Sequence, residues 1–201
     1  MKKKSPLKIG LTGGIGAGKS LALAILREKN IPVLQTDLVG HELLQDPKIK
    51  RRLVKRFGAG ILGNDGSIDR KQLAREAFQS PRRQKALNAI LHPAVRLAVV
   101  RWFKKLASQK PVPRLAVVEV PLLFENGFNR NFDHSLSISA SDQRRRKRLK
   151  KRGWGLSEIR QRESLQWSQE RKNQKADWVI SNQSSEKDLR YSLYEWIALL
   201  R

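Results

Sequence analysis

Cysteine is absent from the 201-residue chain, and no apolar run approaches the roughly 20 residues that a membrane-spanning helix needs. The first absence excludes a disulfide framework and a thiolate metal site, and it is consistent with the cytoplasmic location that we expect. The second leads us to expect no membrane partner. The basic start, Met-Lys-Lys-Lys, is followed by no apolar segment of the kind that a signal peptide requires.

Acidic residues are also scarce. The chain has 18 Asp and Glu residues against 42 Lys and Arg residues, a formal net charge of +24 at pH 7. An excess of this size suggests polyanionic partners such as nucleic acid, acidic membrane or phosphorylated small molecules. The basic residues are spread along the chain, however, with one dense run at residues 144–152. A solvated surface gives the same totals, so we expect nucleic-acid binding only through non-specific charge effects.

Five short apolar segments predict the strands of a sheet, at residues 8–12, 32–35, 115–120, 135–139 and 177–181. They alternate with segments of helical pattern, which predicts a doubly wound, five-stranded parallel sheet of the α/β class. Ligands of such sheets gather at the carboxyl ends of the strands. The residues that follow each strand are therefore the candidate functional residues.

The stretch from about residue 40 to residue 110 is predicted to be nearly all helix. It is too long for a simple crossover between strands, so we interpret it as a helical insert. Within it, one helix is expected to end at Leu91, and His92-Pro93 opens the next. Further along, residues 142–152 predict a basic helix and residues 157–172 predict a single helix.

One glycine-rich stretch carries the clearest functional signal. Residues 13–20 fit the pattern G-x-x-x-x-G-K-[ST] between a strand-like and a helix-like segment, as a phosphate-binding loop requires. Glycines let the backbone N–H groups curl toward a phosphate, and the helix start adds unpaired donors and a favourable dipole. The residues of this predicted triphosphate site are Gly13, Gly14, Ile15, Gly16, Ala17, Gly18, Lys19 and Ser20.

Two residues of this phosphate loop have specific expected roles. Lys19 is predicted to reach the β- and γ-phosphates, and the Ser20 hydroxyl is predicted to ligate Mg²⁺. The alternative, a chance glycine-rich turn, is disfavoured by the flanking segments. The motif indicates a nucleoside triphosphate but does not say what is done with it.

Two carboxylates lie at the carboxyl ends of predicted strands. Asp37 could accept the proton of an attacking hydroxyl during phosphoryl transfer, or it could cap a helix that begins at Leu38. Glu119 could hold Mg²⁺ through water, or it could be a structural carboxylate with a buried partner. The residues alone leave both choices open, and the two roles of Asp37 could coexist.

The dense basic run at residues 144–152 has three interpretations. It could be a lid whose arginines contact the transferring phosphoryl group, a nucleic-acid-binding stripe or a solvated helix face. We expect two or three of its residues to contact phosphate.

Two further sets of residues lie outside the basic run. Glu125 could face a substrate or cap its loop, and the isolated His41, His92 and His134 show no metal-ligand spacing.

Together these motifs resemble the dephospho-CoA kinase family from near Lys8 to the C-terminal helix. The phosphate loop alone is shared by many kinases, whereas its combination with His-Pro and Pro-Leu-Leu-Phe-Glu segments at family spacing is much more specific. The matching residues are Leu11 to Ser20, Asp37, Leu91-His92-Pro93, Val120 to Glu125, Arg148-Leu149, Arg152, Gln166, Lys172, Ala176-Asp177 and Asn182.

The resemblance implies a P-loop kinase that moves the γ-phosphoryl group of Mg-ATP to the ribose 3′-hydroxyl of dephospho-CoA, the last step of coenzyme A synthesis. It implies a nucleotide-binding core of residues 1–38, 112–141 and 173–201. The helical insert, residues 39–111, becomes a CoA-binding subdomain, and residues 142–172 become a lid. We expect ATP and dephospho-CoA as the substrates of a monomeric enzyme.

The resemblance also assigns roles residue by residue. It makes Asp37 the general base, and the implied catalytic set is Asp37, Lys19, Arg148 and Arg152, with Arg144 a nearby candidate. The implied metal ligands are Ser20 and Glu119. The implied substrate-binding residues are His92, Leu122 and Glu125.

Several positions depart from the family pattern. The usual Asp-x-Asp after the second strand is Gln35-Thr36-Asp37 here, which keeps the later, catalytic acid and loses its neighbour. His41 stands where the family often has Arg, which weakens the case for a substrate contact there. Leu21 replaces the usual Thr, and Glu119 replaces the Asp that often precedes the Pro-Leu-Leu segment.

Two other functions compete with this interpretation. One is a small-molecule kinase acting on a nucleoside or nucleotide, which would turn over that acceptor and not dephospho-CoA. The other is a basic P-loop protein that binds nucleic acid and uses ATP as a switch. It would bind RNA or DNA with a steep salt dependence.

Overall fold

The computed structural model describes residues 5–200, so the lysines at positions 2–4, which enter the signal-peptide argument, lie outside the described residues. The chain divides into two compact units. The first contains the chain up to Leu34 and from Phe103 onward, and the second is Gln35–Trp102. The boundaries of the implied subdomain at 39–111 and of the implied lid at 142–172 stay predictions.

Five strands, nine α-helices and two short 3-10 helices make up the regular structure between residues 5 and 200. The strands are β1 (Leu7–Thr12), β2 (Val33–Gln35), β3 (Leu115–Glu119), β4 (His134–Ser139) and β5 (Trp178–Ser181). The helices are α1 (Lys19–Glu28), α2 (Thr36–Leu43), α3 (Pro47–Phe57), α4 (Arg70–Ala77), α5 (Pro81–Ala107), α6 (Asp142–Lys151), α7 (Leu156–Glu163), α8 (Gln169–Lys175) and α9 (Glu186–Leu199). None of these helices is both long enough and apolar enough to span a bilayer.

The strands form one parallel sheet in the order β2-β3-β1-β4-β5, which confirms the predicted doubly wound α/β fold. Ile9 and Leu11 of the central strand β1 are fully buried and belong to a core that includes Leu23 of α1 and Leu189 of α9. A strand covered on both faces needs such an apolar sequence. The strand order reverses at β1, so the loop that follows β1 lies at the switch point where ligands of these sheets bind.

Helix α5 runs from Pro81 to Ala107 without a break. The predicted separate helices, one ending at Leu91 and one beginning at His92-Pro93, are therefore wrong. A proline removes one backbone N–H and usually interrupts a helix interior. Here Ile90 and Val95, on either side of Pro93, are both buried, and their packing holds one helix through the proline.

The predicted single helix at residues 157–172 is also wrong, because α7 ends at Glu163 and α8 begins at Gln169. The Ser168 hydroxyl accepts a hydrogen bond from the Arg171 N–H at 3.2 Å and so caps the start of α8. That N-cap serine is the start signal that the single-helix prediction overlooked.

The second unit is nearly all helical, as the sequence predicts for about residues 40–110, and it has its own apolar core. Leu53 of α3, Ile61 of the following 3-10 turn and Ala77 of α4 are fully buried in this core. The carboxylates of Asp46 and Asp69 each accept two backbone N–H groups at the starts of α3 and α4. These caps satisfy donors that a helix cannot satisfy internally.

A polar link joins the starts of β4 and β5 in the first unit. The Asp177 carboxylate accepts hydrogen bonds from the Ser135 N–H at 2.7 Å and the Ser135 hydroxyl at 2.6 Å. In return the Asp177 N–H donates to the Ser135 hydroxyl oxygen at 3.0 Å. Desolvation raises the pKa of Asp177, but the hydrogen bonds from Ser135 outweigh it and hold the pKa below its usual value.

Replacing this carboxylate should therefore have a pH-dependent effect. We expect Asp177→Asn to lower the free energy of unfolding at pH 7 by about 1 kcal/mol, the typical net value of a hydrogen bond. The depressed pKa gives stability that is fully present above the unfolded-state value of about 3.9 and is lost as the pH falls through the lower folded-state value. Urea unfolding at pH 7 and pH 3 measures both effects, and the difference in unfolding free energy between wild type and variant should be smaller at pH 3 than at pH 7.

Glu195→Gln, which removes an exposed carboxylate from α9, is the control for the change in net charge. An Asp177→Asn protein as stable as this control at pH 7, or a difference in unfolding free energy as large at pH 3 as at pH 7, would contradict the role of the ionised carboxylate.

Candidate nucleotide site

Glycines shape the phosphate loop between β1 and α1. Gly13 has a φ of +146°, and a Cβ there would lie 2.3 Å from the Ile138 carbonyl oxygen of β4. Gly18 has a φ of +102°, and a Cβ there would lie 2.0 Å from Asn182 Nδ2. These backbone angles are open to glycine and costly for other residues. The loop therefore curls tightly against β4 and the segment after β5.

Arginines of α6 hold carbonyl groups in the middle of the loop. Arg145 Nη1 donates to the Ile15 oxygen at 3.1 Å, and Arg148 Nη1 donates to the Gly16 and Ala17 oxygens at 3.3 and 3.2 Å. The C=O and N–H of a trans peptide point in opposite directions. The N–H groups that follow Ile15 and Ala17 therefore point away from the arginines, as an anion-binding loop requires.

Asn182, in the segment after β5, completes this support. Its Nδ2 donates to the Ala17 oxygen at 2.8 Å, and its own backbone and side-chain oxygens accept from Arg148 Nη2 at 3.0 and 3.1 Å. Asn182 is buried, so these bonds are shielded from water. Arg148 and Asn182 thus form one hydrogen-bonded group around the Ala17 carbonyl.

The two residues expected to face the phosphates and Mg²⁺ open helix α1. Lys19 Nζ folds back and donates to the Gly13 oxygen at 3.0 Å and the Gly14 oxygen at 3.1 Å. Ser20 follows and is exposed. No acidic residue lies in the first turn of α1, so the positive end of its dipole favours an anion there.

The basic run is neither a uniform stripe nor a fully solvated face. Arg145 is buried and forms an ion pair with Glu163 at 2.8 Å, whereas Arg152 is exposed just beyond the end of α6. Burial, together with the charges of Arg144 and Arg152, lowers the pKa of Arg148. One face of α6 therefore supports the phosphate loop while the rest of its charge faces solvent.

Glu119 is the buried last residue of β3. It stands opposite Leu11 in the register of β3 with β1, beside the strand that leads into the phosphate loop. Its carboxylate and the Ser20 hydroxyl are hard oxygen donors of the type that Mg²⁺ prefers. Between residues 5 and 200, no three His, Cys, Asp or Glu side chains are grouped so that they could hold a metal.

Glu125 lies in the turn after β3, where half-buried Leu122 also lies, and it forms an ion pair with Lys172 of α8 at 3.2 Å. Lys172 Nζ is fully buried and also donates to the Pro121 oxygen at 2.6 Å. Glu125 Oε1 accepts the Trp167 N–H at 2.9 Å. Burial lowers the pKa of Lys172, and the Glu125 charge opposes that shift. The pair ties α8 to the turn.

Two loop-supporting residues were not singled out from the sequence. Arg145 stood among the other basic residues of its run, where only burial separates it from its neighbours. Gln169, whose side chain accepts the Gly14 N–H at 2.8 Å, carried no sequence signal. Asn182 matched the family resemblance, but its role at the Ala17 carbonyl could not be read from the residue type.

Asp37 and His92 lie in the second unit. Asp37 is exposed in the first turn of α2, which begins one residue earlier at Thr36, so the alternative interpretation of Asp37 as an N-cap is wrong. His92 is half-buried in α5, and burial followed by the charge of Arg96 lowers its pKa.

Known proteins resemble the chain along nearly its whole length. The sequence model of the dephospho-CoA kinase family matches residues 7–188. Dephospho-CoA kinase from Chlorobaculum tepidum is 37% identical over 195 residues, covering 94% of this chain and 93% of that protein. Dephospho-CoA kinase from Geobacillus kaustophilus is 36% identical over 199 residues, covering 96% and 98% of the two chains.

Solved structures also resemble this chain along nearly its whole length. The crystal structure of TT1252 from Thermus thermophilus superposes with a TM-score of 0.85 at 35% identity and covers 98% of this chain and all of that one. Dephospho-CoA kinase from Campylobacter jejuni, at 24% identity, has the same fold with a TM-score of 0.71 over 95% of both chains.

The buried ion pair generates a prediction about stability. We expect Glu125→Gln to lower the free energy of unfolding by about 3 kcal/mol, because it leaves the buried Lys172 charge without its partner. Urea unfolding at pH 7 measures the loss. Glu158→Gln, which breaks an exposed ion pair with Arg162, is the matched control and should cost less than about 1 kcal/mol. Equal losses in the two variants would show that the buried pair is not held together by charge.

Proposed function

The chain belongs to the dephospho-CoA kinase family, and we propose which residues perform the ATP-dependent phosphorylation of dephospho-CoA that this family carries out as the last step of coenzyme A synthesis. The observation that carries the proposal is the phosphate loop. The loop has a glycine backbone whose carbonyl groups accept hydrogen bonds from arginines of α6 and from Lys19. This arrangement makes a fixed binding site for the triphosphate of ATP.

Asp37 is the proposed general base. It accepts the proton of the attacking ribose 3′-hydroxyl as the oxygen–phosphorus bond forms and ADP leaves. Its exposure in the first turn of α2 supports this role, because the side chain is not used as a helix cap. The departure at Gln35 removes a second carboxylate and leaves Asp37 as the carboxylate retained from the Asp-x-Asp pattern.

Lys19 and the lid arginines are proposed to stabilise charge on the transferring group. Lys19 contacts the β- and γ-phosphates, and Arg148 and Arg152 approach the γ-phosphoryl group as it moves. Arg148 lies beside the loop through its bonds to the Gly16 and Ala17 oxygens, which supports its role. Arg152 is exposed and so is available to move toward a bound nucleotide.

Mg²⁺ is the proposed metal, with Ser20 as a direct ligand and Glu119 acting through water. The exposed hydroxyl and the buried carboxylate fit a hard cation. When bound, Mg²⁺ neutralises charge on the β- and γ-phosphate oxygens. The two residues hold it and so orient the triphosphate.

The acceptor is proposed to contact His92 and Leu122, with the second unit as the CoA-binding subdomain. Glu125 is the third proposed contact. Its Oε1 is engaged by Lys172 and Trp167, whereas its buried Oε2 has no hydrogen-bond partner within residues 5–200 and is the atom that could accept from a substrate.

The activity is tested by a coupled ADP-release assay with Mg-ATP and dephospho-CoA. We expect turnover with dephospho-CoA and at least about 100-fold lower kcat/KM with adenosine or AMP, because only the full acceptor uses the contacts of a CoA site. A kcat/KM that is higher with adenosine or AMP than with dephospho-CoA would instead assign the chain to the nucleoside or nucleotide kinases.

Asp37→Asn tests the general base. We expect kcat to fall about 100-fold or more while the Kd for ATP stays within about twofold of wild type, because the base acts in the chemical step. Glu42→Gln removes another exposed carboxylate of α2 and is the matched control. If both variants kept the wild-type kcat, Asp37 would have no catalytic role.

A further inference from the structure

A single peptide group of the phosphate loop is held from both of its sides. The peptide between Gly13 and Gly14 presents its carbonyl oxygen to Lys19 Nζ at 3.0 Å and its N–H to Gln169 Oε1 at 2.8 Å. The two contacts lie in opposite directions, because the C=O and N–H of a trans peptide do. Any rotation of this peptide breaks both hydrogen bonds together.

Gln169 is itself fixed by a buried network. The residue is 4% exposed, and its Nε2 donates to Ser137 Oγ at 3.2 Å and to Asn173 Oδ1 at 2.7 Å. Asn173 Nδ2 in turn donates to Ser139 Oγ at 2.9 Å. The Gly14 N–H can only donate, so the Gln169 oxygen must face the loop and the Gln169 nitrogen must face α8 and β4.

The Gln169 side chain occupies the space beside Gly14. A Cβ at Gly14 would lie 2.9 Å from Gln169 Oε1 and 3.2 Å from Arg145 Nη1. The glutamine therefore packs directly on the glycine backbone. The network reaches β4, a rigid strand next to β1, so it can hold the loop in place without help from a nucleotide.

We propose that Gln169 is a positioning residue for Lys19. By fixing the Gly13–Gly14 peptide, it keeps the Gly13 oxygen where it receives the Lys19 ammonium and so orders the lysine before ATP binds. The role rests on the proposed use of the loop for ATP. Preorganisation of this kind lowers the cost of binding, because the loop and the lysine are already ordered.

The test begins with Gln169→Leu, which keeps side-chain bulk and removes the acceptor. We expect the Kd for Mg-ATP, measured by calorimetry, to rise about tenfold, the scale of one buried hydrogen bond. In the Lys19→Ala background the same change should raise Kd less than threefold, because Gln169 acts through the lysine. Gln169→Asn, which keeps an amide but cannot reach Gly14, is the second variant if the leucine protein fails to fold.

Amide hydrogen exchange of the protein without nucleotide provides a readout that is independent of turnover. We expect the Gly14 amide to be protected in wild type and to exchange about tenfold faster in the Gln169 variants. Ser135→Ala, which weakens the link between β4 and β5, is the control for general destabilisation and should leave both Gly14 exchange and the Kd for ATP unchanged.

The results separate the inference from the proposed function. A folded Gln169 variant with wild-type ATP affinity and wild-type Gly14 exchange would overturn the positioning role, even if the enzyme phosphorylates dephospho-CoA. Tighter ATP binding would also overturn it, since Gln169 would then compete with phosphate for the Gly14 N–H. Equal losses of affinity with and without Lys19 would show that Gln169 does not act through the lysine. Protection of Gly14 with no turnover of dephospho-CoA would contradict the proposed function alone.

Discussion

The phosphate loop depends on one constraint, which is that its carbonyl groups must be satisfied if the N–H groups of Gly16 and Gly18 are to face an anion. The loop cannot satisfy these carbonyls by regular secondary structure. Arg145, Arg148 and Asn182 hold the carbonyls of residues 15–17 from outside the loop. Lys19 Nζ donates to the carbonyl oxygens of the two preceding residues, Gly13 and Gly14. A buried carbonyl group without a hydrogen-bond partner would destabilise the folded loop, because its desolvation would not be compensated.

The supports come from distant parts of the chain, and the sheet brings them together. Helix α6 follows β4, Asn182 follows β5, and both strands lie on the same side of β1. Parallel strands end at the same edge of a sheet, so the segments after β1, β4 and β5 meet there. Helix α8 adds two more links through residues one turn apart, because Gln169 contacts the loop and Lys172 contacts the turn after β3.

The sequence predicted what depends on local pattern. The apolar strands and the glycine loop between strand and helix each follow from residue type and spacing. The single helix predicted for residues 157–172 overlooked a local signal, the Ser168 cap, whereas the error at Pro93 occurred where tertiary contacts override a local rule. Pro93 suggested a helix start, but apolar packing on both sides continues α5 through it.

The supporting residues of the site could not be predicted in the same way. Arg148 was identified through the family resemblance, but Arg145 stands in a run of similar residues, and residue type alone does not say that its face of α6 meets the loop. Gln169 acts through the orientation of its amide, which depends on Asn173 and on the Gly14 N–H. Such a role arises from the folded arrangement of three chain segments, and no single segment carries a signal for it.

Net charge is a poor guide to this site, because function follows burial and pairing. Among residues 5–200, the basic side chains that are buried are Arg145 and Lys172, and each has an anionic partner, Glu163 and Glu125. A buried cation is tolerated only when its charge and its donors are satisfied. Arg145 contacts the phosphate loop, and Lys172 contacts the turn after β3. By contrast, the exposed cations of α3 and of the outer face of α6 stay in water, where their fields are screened within about 10 Å. The positive charge that organises the phosphate loop is therefore carried by a small number of placed residues and not by the total of +24.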